Sequence, residues 1–214
     1  PPVVEGDRAL TVLKSVVAEM MERFKTLESS GTKNIASYNQ KAITKMPYLL
    51  LVVDELADLM LTSANEVERT LVRLAQLGRA TGVHLVVATQ RPSVDVVTGL
   101  IKANFPSRVA FSVSSQVDSR TILDSPGAEK LLGRGDMLFL PVDRPRPSRI
   151  QGAFVSDPEV ESLVSFWRMA RGPTLPQLEI SLESEPAAEP GRNSGADSLF
   201  DQAVSLAHSQ SRLS

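Results

Sequence analysis

The sequence predicts an α/β fold in which a parallel-rich β-sheet is flanked by helices. Two apolar runs of strand length, residues 49–53 and 83–88, stand on either side of a stretch with helical spacing. Nearly continuous apolar runs are typical of strands that are buried on both faces of a parallel sheet. Strands that alternate with helices favour right-handed crossovers, so we expect the two runs to be parallel strands of one sheet.

The first element is predicted to be a long amphipathic helix over about residues 7–28. Its apolar positions recur at i, i+3, i+4 and i+7, which is the spacing of one helix face. Ser29-Ser30-Gly31 ends it, and a polar stretch to Lys45 leads into the first strand. The predicted buried face comprises Ala9, Val12, Leu13, Val16, Val17, Met20, Met21 and Phe24.

A second helix is predicted between the two apolar runs. Ser63 or Asn65 would cap its start, and Gly82 suits the position after its end. Its apolar face would be Val67, Leu71, Leu74 and Ala75.

The middle of the chain predicts shorter elements. The expected elements are a helix at 94–102, a strand at 108–113, helical pieces at 117–123 and 128–132, two strands at 137–140 and 149–154, and a helix at 158–171. The last two strands would pair across the proline-rich connection 141–148, because proline disfavours a central strand there.

Composition changes near residue 172, and we divide the chain there. Residues 1–171 form the predicted α/β domain. Residues 172–196 are rich in proline, serine and glutamate, which indicates an acidic linker. Residues 197–214 begin with restored helical spacing that is too short to bury a core alone.

Composition also limits the classes of function. The 214 residues carry a formal net charge of −2, so any nucleic-acid-binding surface has to be local. There is no cysteine, which excludes disulfides and thiolate metal sites. No apolar stretch approaches the roughly 20 residues that cross a bilayer. The chain begins at Pro1 rather than at a methionine, and we expect it to be a fragment of a longer protein.

Asp54 and Glu55 directly follow the first apolar run and are the strongest candidate site residues. An unpartnered buried carboxylate is costly, so the pair marks the point where the strand emerges from the sheet. Ligands of open α/β sheets bind at this edge. Asp54 can hold Mg²⁺, and Glu55 can polarise a water for attack on a phosphate, as in a Walker B element. The alternative is a strand that ends in a solvated acidic turn.

Four further residues have the right types for nucleotide hydrolysis or DNA contact. Gln90, at the end of the second run, can touch the attacking water or the γ-phosphate. Arg79 can act as an arginine finger towards a neighbouring subunit, or it is simply a cation at a helix C-terminus. Arg91 and Lys102 can contact phosphates with little sequence readout.

A phosphate-binding loop is missing from this sequence. No G-x-x-x-x-G-K-[ST] motif occurs in it, so the chain carries half of an ATPase site. We therefore expect the chain alone to have no appreciable ATPase activity.

Several ordered segments resemble the FtsK/SpoIIIE family of DNA translocases, over most of residues 1–170. The matching segments are LVVDELADLM at 51–60, RLAQ at 73–76, RATGVHL at 79–85, ATQRPSVDVVTG at 88–99, VSSQVDSRTILD at 113–124 and LLGRGDML at 131–138.

The resemblance implies a RecA-like P-loop NTPase motor core, here incomplete. It implies ATP and Mg²⁺ as cofactors, double-stranded DNA as the partner, and a hexameric ring that pumps chromosomal DNA during cell division and chromosome segregation. By position Asp54 and Glu55 match the Walker B pair, Gln90 the polar sensor and Arg79 the trans-acting arginine finger. Arg91 and Lys102 match pore-facing DNA contacts.

The same resemblance extends to the cellular setting and to the end of the chain. Residues 197–214 look like the first helix of a truncated winged-helix DNA-recognition domain. The motor portion would be cytoplasmic and tethered to the cell membrane through absent N-terminal segments, with other division or recombination proteins as possible partners. One departure is Gln116, where the family commonly has lysine.

Two other functions stay open at this point. The missing phosphate loop is compatible with a non-hydrolysing regulatory or assembly module. A related conjugation-type DNA-transfer ATPase would carry a similar motor with another cargo.

Overall fold

The computed structural model describes residue 3 and residues 6–170 of the chain, all within the first of two units, Pro1–Ile180. The predicted linker at 172–196 and the predicted helix in 197–214 lie outside the described residues. The helices are α1 (Gly6–Ser29), α2 (Ile35–Lys41), α3 (Leu56–Thr81), α4 (Gly99–Asn104), α5 (Gln116–Leu123) and α6 (Asp157–Met169). The strands are β1 (Leu49–Val53), β2 (Val83–Val87), β3 (Arg108–Phe111), β4 (Asp136–Leu140) and β5 (Ser148–Gln151), and a 3₁₀ turn covers Ala128–Lys130.

β1 and β2 form a parallel pair, as the two apolar runs predicted. Leu49 pairs with Val83 at one end and Val53 with Val87 at the other, so both strands end at the same edge. One more backbone hydrogen bond, from the Ala88 amide to the Val53 carbonyl at 2.8 Å, continues the pairing past the strands. This shared edge positions the candidate site.

The first hydrophobic core lies between α1, α3 and the β1–β2 pair. Most of the apolar positions that the helical spacing predicted for α1 and α3 belong to this core. Met21 is 36% exposed, so it does not belong to the buried face assigned to it. The least exposed side chains of this core are Met20, Leu56, Val67, Leu71 and Leu74.

Arg23 ties α1 to the ends of two other elements. Its guanidinium is 4% exposed and donates to the Pro47 carbonyl at 2.7 Å, the Thr81 carbonyl at 3.0 Å and the Glu19 carboxylate at 2.8 Å. A buried charge is tolerated because these acceptors replace its water. Arg23 thereby fixes where β1 begins and α3 ends.

The prediction that the first strand is buried on both faces is wrong for the described structure. Leu50 is 67% exposed, Val52 59% and Val86 51%. Successive side chains of a strand point to opposite faces, and α1 and α3 pack against the other face. His84 shares the outer face and is exposed, stacking on Tyr48 at 5.8 Å between ring centroids.

α3 begins seven residues before the Ser63 cap that the sequence suggested. It runs from Leu56, and Glu55 is its N-terminal cap. Ser63 does break the helix, because its φ of −156° and ψ of 64° are non-helical and mark a kink. The end is as predicted, with Gly82 in the left-handed region at φ 75°. A further helix, α2, lies where only a polar stretch was expected.

β3, β4 and β5 form a separate antiparallel sheet in that order. The predicted pairing across the proline-rich connection is therefore confirmed, with Met137 opposite Ile150. One face of this sheet packs on α5 and the 3₁₀ turn and forms the second core of Ala110, Leu123, Ala128, Leu131 and Leu140. The described strands thus divide between one parallel pair and one antiparallel sheet.

None of the helices in the described part of the chain is both long and apolar enough to cross a membrane.

Candidate functional site

The candidate site lies at the edge where β1 and β2 end. Asp54 and Glu55 follow β1 directly, and Thr89 and Gln90 follow β2 one residue beyond the strand. Because Val53 and Val87 are paired, the two polar segments leave the sheet side by side. The structure therefore brings together three of the predicted site residues.

The Glu55 carboxylate is held by three donors. Oε1 accepts hydrogen bonds from the Ala57 amide at 2.9 Å and from the Thr89 hydroxyl at 2.5 Å. Oε2 accepts one from the Gln90 amide at 2.9 Å. Both oxygens are thus fixed relative to the start of α3 and the end of β2.

These contacts lower the pKa of Glu55 from its usual value. Partial burial acts first, and in the raising direction, because it disfavours the charged form. The hydrogen bonds from Thr89, Gln90 and Ala57 and the attraction of Arg91 together outweigh it. Glu55 is therefore an ionised acceptor at neutral pH and can orient a water molecule.

Thr89 also belongs to the candidate site, although the sequence pattern favoured only Gln90 in this segment. It stands in the polar segment after the second strand, where Gln90 had been chosen as the sensor. In the structure the Thr89 side chain contacts Glu55, whereas Gln90 does so through its backbone amide and keeps its side chain exposed. The available signal was a hydroxyl residue at the shared edge of two parallel strands.

Asp54 is exposed at this edge, next to Glu55. Among the described residues no group of three or more histidines, aspartates or glutamates could hold a metal by itself. Mg²⁺ in nucleotide sites needs only one or two carboxylates, with the remaining positions filled by phosphates and water. A single accessible aspartate fits that requirement.

Arg79 lies at the opposite edge of the parallel pair. It belongs to the last turn of α3 and is exposed, and the Leu49 amide that begins β1 bonds to the Gly82 carbonyl at 2.9 Å. A strand of five residues spans about 16 Å. Arg79 therefore lies far from Glu55 of its own chain.

Arg91 stands beside the Glu55 site. Its side chain is exposed, and its amide donates to the Thr89 hydroxyl at 3.1 Å. The Thr89 hydroxyl thus contacts both the backbone of Arg91, the candidate DNA contact, and the carboxylate of Glu55, the candidate base.

Lys102 lies on α4 and is already ion-paired. Its ammonium is 2.6 Å from Oδ1 of Asp124, whose Oδ2 is 2.6 Å from Nη1 of Arg108. The pKa of the Asp124 carboxyl is lowered by the Lys102 hydrogen bond foremost, against a raising effect of burial, and also by Arg108.

Comparison with known proteins gives a consistent family signal. The profile described as the FtsK/SpoIIIE family matches residues 1–94. The DNA translocase FtsK of Sporosarcina ureae is 49% identical over 216 residues, which cover 96% of this chain and 27% of that protein. The DNA translocase SpoIIIE of Bacillus subtilis (strain 168) is 48% identical over 219 residues, with the same coverage. The chain thus spans about a quarter of the length of these relatives.

Two solved structures share the fold. The pCW3 conjugation coupling protein TcpA, solved with ATPgS, has a TM-score of 0.68 and 30% identity over 77% of this chain and 50% of that one. The cytoplasmic domain of the Thermomonospora curvata Type VII secretion ATPase EccC has a TM-score of 0.69 over 78% of this chain and 20% of that one, at 24% identity. These likenesses confirm the predicted fold class, an incomplete RecA-like P-loop motor core.

Proposed function

Because this chain belongs to the FtsK/SpoIIIE family, we propose that it is part of an ATP-driven motor that translocates double-stranded DNA. The cargo would be chromosomal DNA during cell division and chromosome segregation. The observation that carries the proposal is the shared edge of β1 and β2, where Asp54, Glu55 and Thr89-Gln90 meet.

The described residues have defined tasks in such a motor. Asp54 would hold Mg²⁺ together with the phosphates of ATP, and the metal would neutralise charge on the transferring phosphoryl group. Glu55, kept ionised by its three donors, would orient the attacking water. The exposed side chain of Gln90 would sense the γ-phosphate or that water.

In a ring of subunits, the Glu55 site of one chain would receive an arginine from its neighbour. Arg79 is at the edge of the sheet away from Glu55, so we propose that it acts on the nucleotide of a neighbouring subunit. This placement supports a homo-oligomer, and a hexameric ring around the duplex is the arrangement that the family suggests. The motor would be cytoplasmic and tethered to the cell membrane by other parts of the polypeptide, where division or recombination proteins can meet it.

DNA would be held in the ring through its phosphates. Arg91 projects an exposed cation two residues from Thr89, which places a DNA contact next to the hydrolysis site. Lys102 would be the second contact, in exchange for its present partner Asp124. Phosphate contacts of this kind give binding with little sequence preference.

A second candidate function is supported by one structure. TcpA is named as a conjugation coupling protein, and it shares 30% identity with this chain at a TM-score of 0.68. A conjugation-type DNA-transfer ATPase would use the same site with another cargo. The higher identity of 49% to a protein named DNA translocase FtsK favours the first proposal.

The test is DNA-stimulated ATP hydrolysis by the intact protein that contains this chain. Glu55→Gln should retain ATP binding and reduce the hydrolysis rate by about 100-fold or more, because the general base is lost. The 214-residue chain alone is the negative control, since no phosphate-binding loop motif occurs in it. Unchanged hydrolysis by Glu55→Gln would refute the assignment of Glu55.

Mixing two inactive variants tests the position of Arg79. Arg79→Ala and Glu55→Gln proteins should each hydrolyse ATP poorly when pure. In mixed rings some interfaces combine an intact Arg79 with an intact Glu55, so the mixture should recover part of the activity. No recovery above the sum of the pure variants would contradict action between subunits.

A further inference from the structure

Lys102, Asp124 and Arg108 form a cluster that none of the catalytic assignments uses. The three side chains come from α4, from the residue that ends α5, and from the first residue of β3. The two carboxylate oxygens of Asp124 each take one cation, at 2.6 Å in both cases. Lysine and arginine form the same kind of charge-assisted hydrogen bond with a phosphate as with a carboxylate.

Arg108 has more hydrogen-bond partners in this cluster than Lys102 has. Nη1 of Arg108 also donates to the Ile122 carbonyl at 2.8 Å, and its side chain is 18% exposed. Lys102 has Asp124 as the one ion-pair partner found among the described residues, and a flexible four-carbon stem carries its ammonium. Arg108 therefore retains Asp124, whereas Lys102 can leave it.

Asp124 itself is fixed by its backbone. It ends α5 in the left-handed region, with φ 57° and ψ 12°, and its amide donates to the Arg120 carbonyl at 2.9 Å. The backbone of Asp124 is therefore held in place, and the Arg108 ion pair at 2.6 Å holds its carboxylate. The Asp124 side chain is 55% exposed and that of Lys102 23%, so an incoming anion can reach the Lys102 ammonium.

We propose that Asp124 is an internal competitor of the DNA backbone for Lys102. Without DNA the Lys102 ammonium pairs with Asp124, and in the complex it pairs with a phosphate while Arg108 keeps the carboxylate in place. Asp124 thus weakens DNA binding and favours release of the duplex between steps. This inference rests on the proposed function, since it takes double-stranded DNA as the ligand of Lys102.

The experiment is a double-mutant cycle on duplex binding by the intact protein, followed by the anisotropy of a labelled DNA of arbitrary sequence. Asp124→Asn removes the competing charge and suits the left-handed conformation, which asparagine tolerates. We expect it to lower the Kd for DNA about two- to fivefold, which is the size of a partly exposed ion pair. Lys102→Met should raise the Kd and reduce the slope of log K against log salt by about 0.9 for each lost phosphate contact.

The cycle separates competition from other effects. In the Lys102→Met background, Asp124→Asn should no longer tighten binding, because the ammonium that it frees is absent. Asp143→Asn, an equal change of charge at an exposed site in the β4–β5 connection, is the matched control and should change the Kd by less than twofold.

Three results would overturn the inference. They are weaker or unchanged binding by Asp124→Asn, tightening that persists without Lys102, and equal tightening by Asp143→Asn. Each of these leaves the proposed function intact if the unmodified protein binds duplex DNA. If it binds none, the proposed function fails and this inference fails with it.

Discussion

Glu55 has two structural tasks at the level of the single residue. Its Oε1 caps the N-terminus of α3 through the Ala57 amide and also accepts the Thr89 hydroxyl. A carboxylate at a helix N-terminus is stabilised there by the unsatisfied amides and the helix dipole. The same contacts hold the carboxylate of the candidate base in one orientation. Glu55 thus caps the helix and is oriented for a role as a base by the same hydrogen bonds.

Thr89 should act on ATP hydrolysis through Glu55. Thr89→Val keeps the shape of the side chain but removes the donated hydrogen bond, which raises the Glu55 pKa and loosens the carboxylate. In the intact protein we expect kcat to fall about tenfold, with little change in the KM for ATP, because a hydrogen bond to a charged group is lost. Thr89→Ser keeps the hydroxyl and is the control.

The pH profile distinguishes positioning from a general loss of structure. Glu55 must be ionised to act as a base, so activity falls below its pKa. In Thr89→Val that acidic limb should move to higher pH, while it should stay in place for Thr89→Ser. An unshifted limb with reduced kcat would contradict a role through the Glu55 carboxylate.

Asp136 should make stability depend on pH in the acidic range. Two hydrogen bonds from Arg149, at 2.6 and 2.9 Å, and one from the Leu132 amide lower its pKa to about 2. The unfolded pKa is about 3.9. The contribution of Asp136 is therefore complete above about pH 4 and is lost as the pH falls towards 2.

Urea denaturation of the 214-residue chain measures this effect. At pH 5 Asp136→Asn should unfold at a lower urea concentration than the unmodified chain. The difference between the two midpoints should shrink as the pH is lowered to 2.5, because the carboxyl of the unfolded chain is then mostly protonated while the native one is not, and this linkage destabilises the unmodified chain alone. A difference that stays constant from pH 5 to 2.5 would exclude the ionised Asp136 as its source.

At the level of elements, the junction of α3 with β2 depends on a glycine. Gly82 has φ 75°, and its carbonyl accepts the Leu49 amide, so α3 ends where β1 and β2 begin. A Cβ at this position would lie 2.5 Å from Cδ1 of Ile35 and 3.0 Å from Cδ1 of Tyr48. The end of one helix, the first turn of another and the first residues of the parallel pair meet at this point.

Gly82→Ala should therefore destabilise the chain by about 1–3 kcal/mol, from left-handed backbone strain and the clash with Ile35. Gly99→Ala is the matched control, because no atom lies within 4 Å of its added Cβ and the residue begins α4. That control should be neutral or slightly stabilising. Denaturant titration gives the free energy of unfolding of each variant relative to the unmodified chain. An equal change in this free energy for Gly82→Ala and Gly99→Ala would show that Gly82 is not constrained.

At the level of the whole molecule, the described residues form two hydrophobic cores and leave large apolar surfaces uncovered. The outer face of β1–β2 is exposed, and so are Phe166 at 60% and Trp167 at 68% on α6, which has no buried residue. Parallel sheets are ordinarily covered on both faces. The relatives are about four times as long as the region that this chain matches.

Most elements of the fold followed from local patterns in the sequence. The helix of 6–29 carries an apolar stripe at helical spacing, and prolines mark the connection between β4 and β5, so the helix and the pairing of the two strands were predicted, although β5 ends at Gln151 rather than at 154. The start of α3 was missed because its cap is a glutamate, Glu55, that the pattern assigned to catalysis alone. Exposure of the outer sheet face was missed because a continuous apolar run does not show which elements cover it.

The family, the parallel pair and the acidic edge were predictable from the sequence, because strand period, helix caps and ordered motifs are local properties of the chain. The contact of Thr89 with Glu55, the position of Arg79 at the far edge and the pairing of Lys102 with Asp124 became visible in the folded chain. Thr89 and Glu55 are 34 positions apart in the sequence, and Lys102 and Asp124 are 22 positions apart. Their geometry depends on strand register and on where each helix ends, which arise only when distant segments pack together.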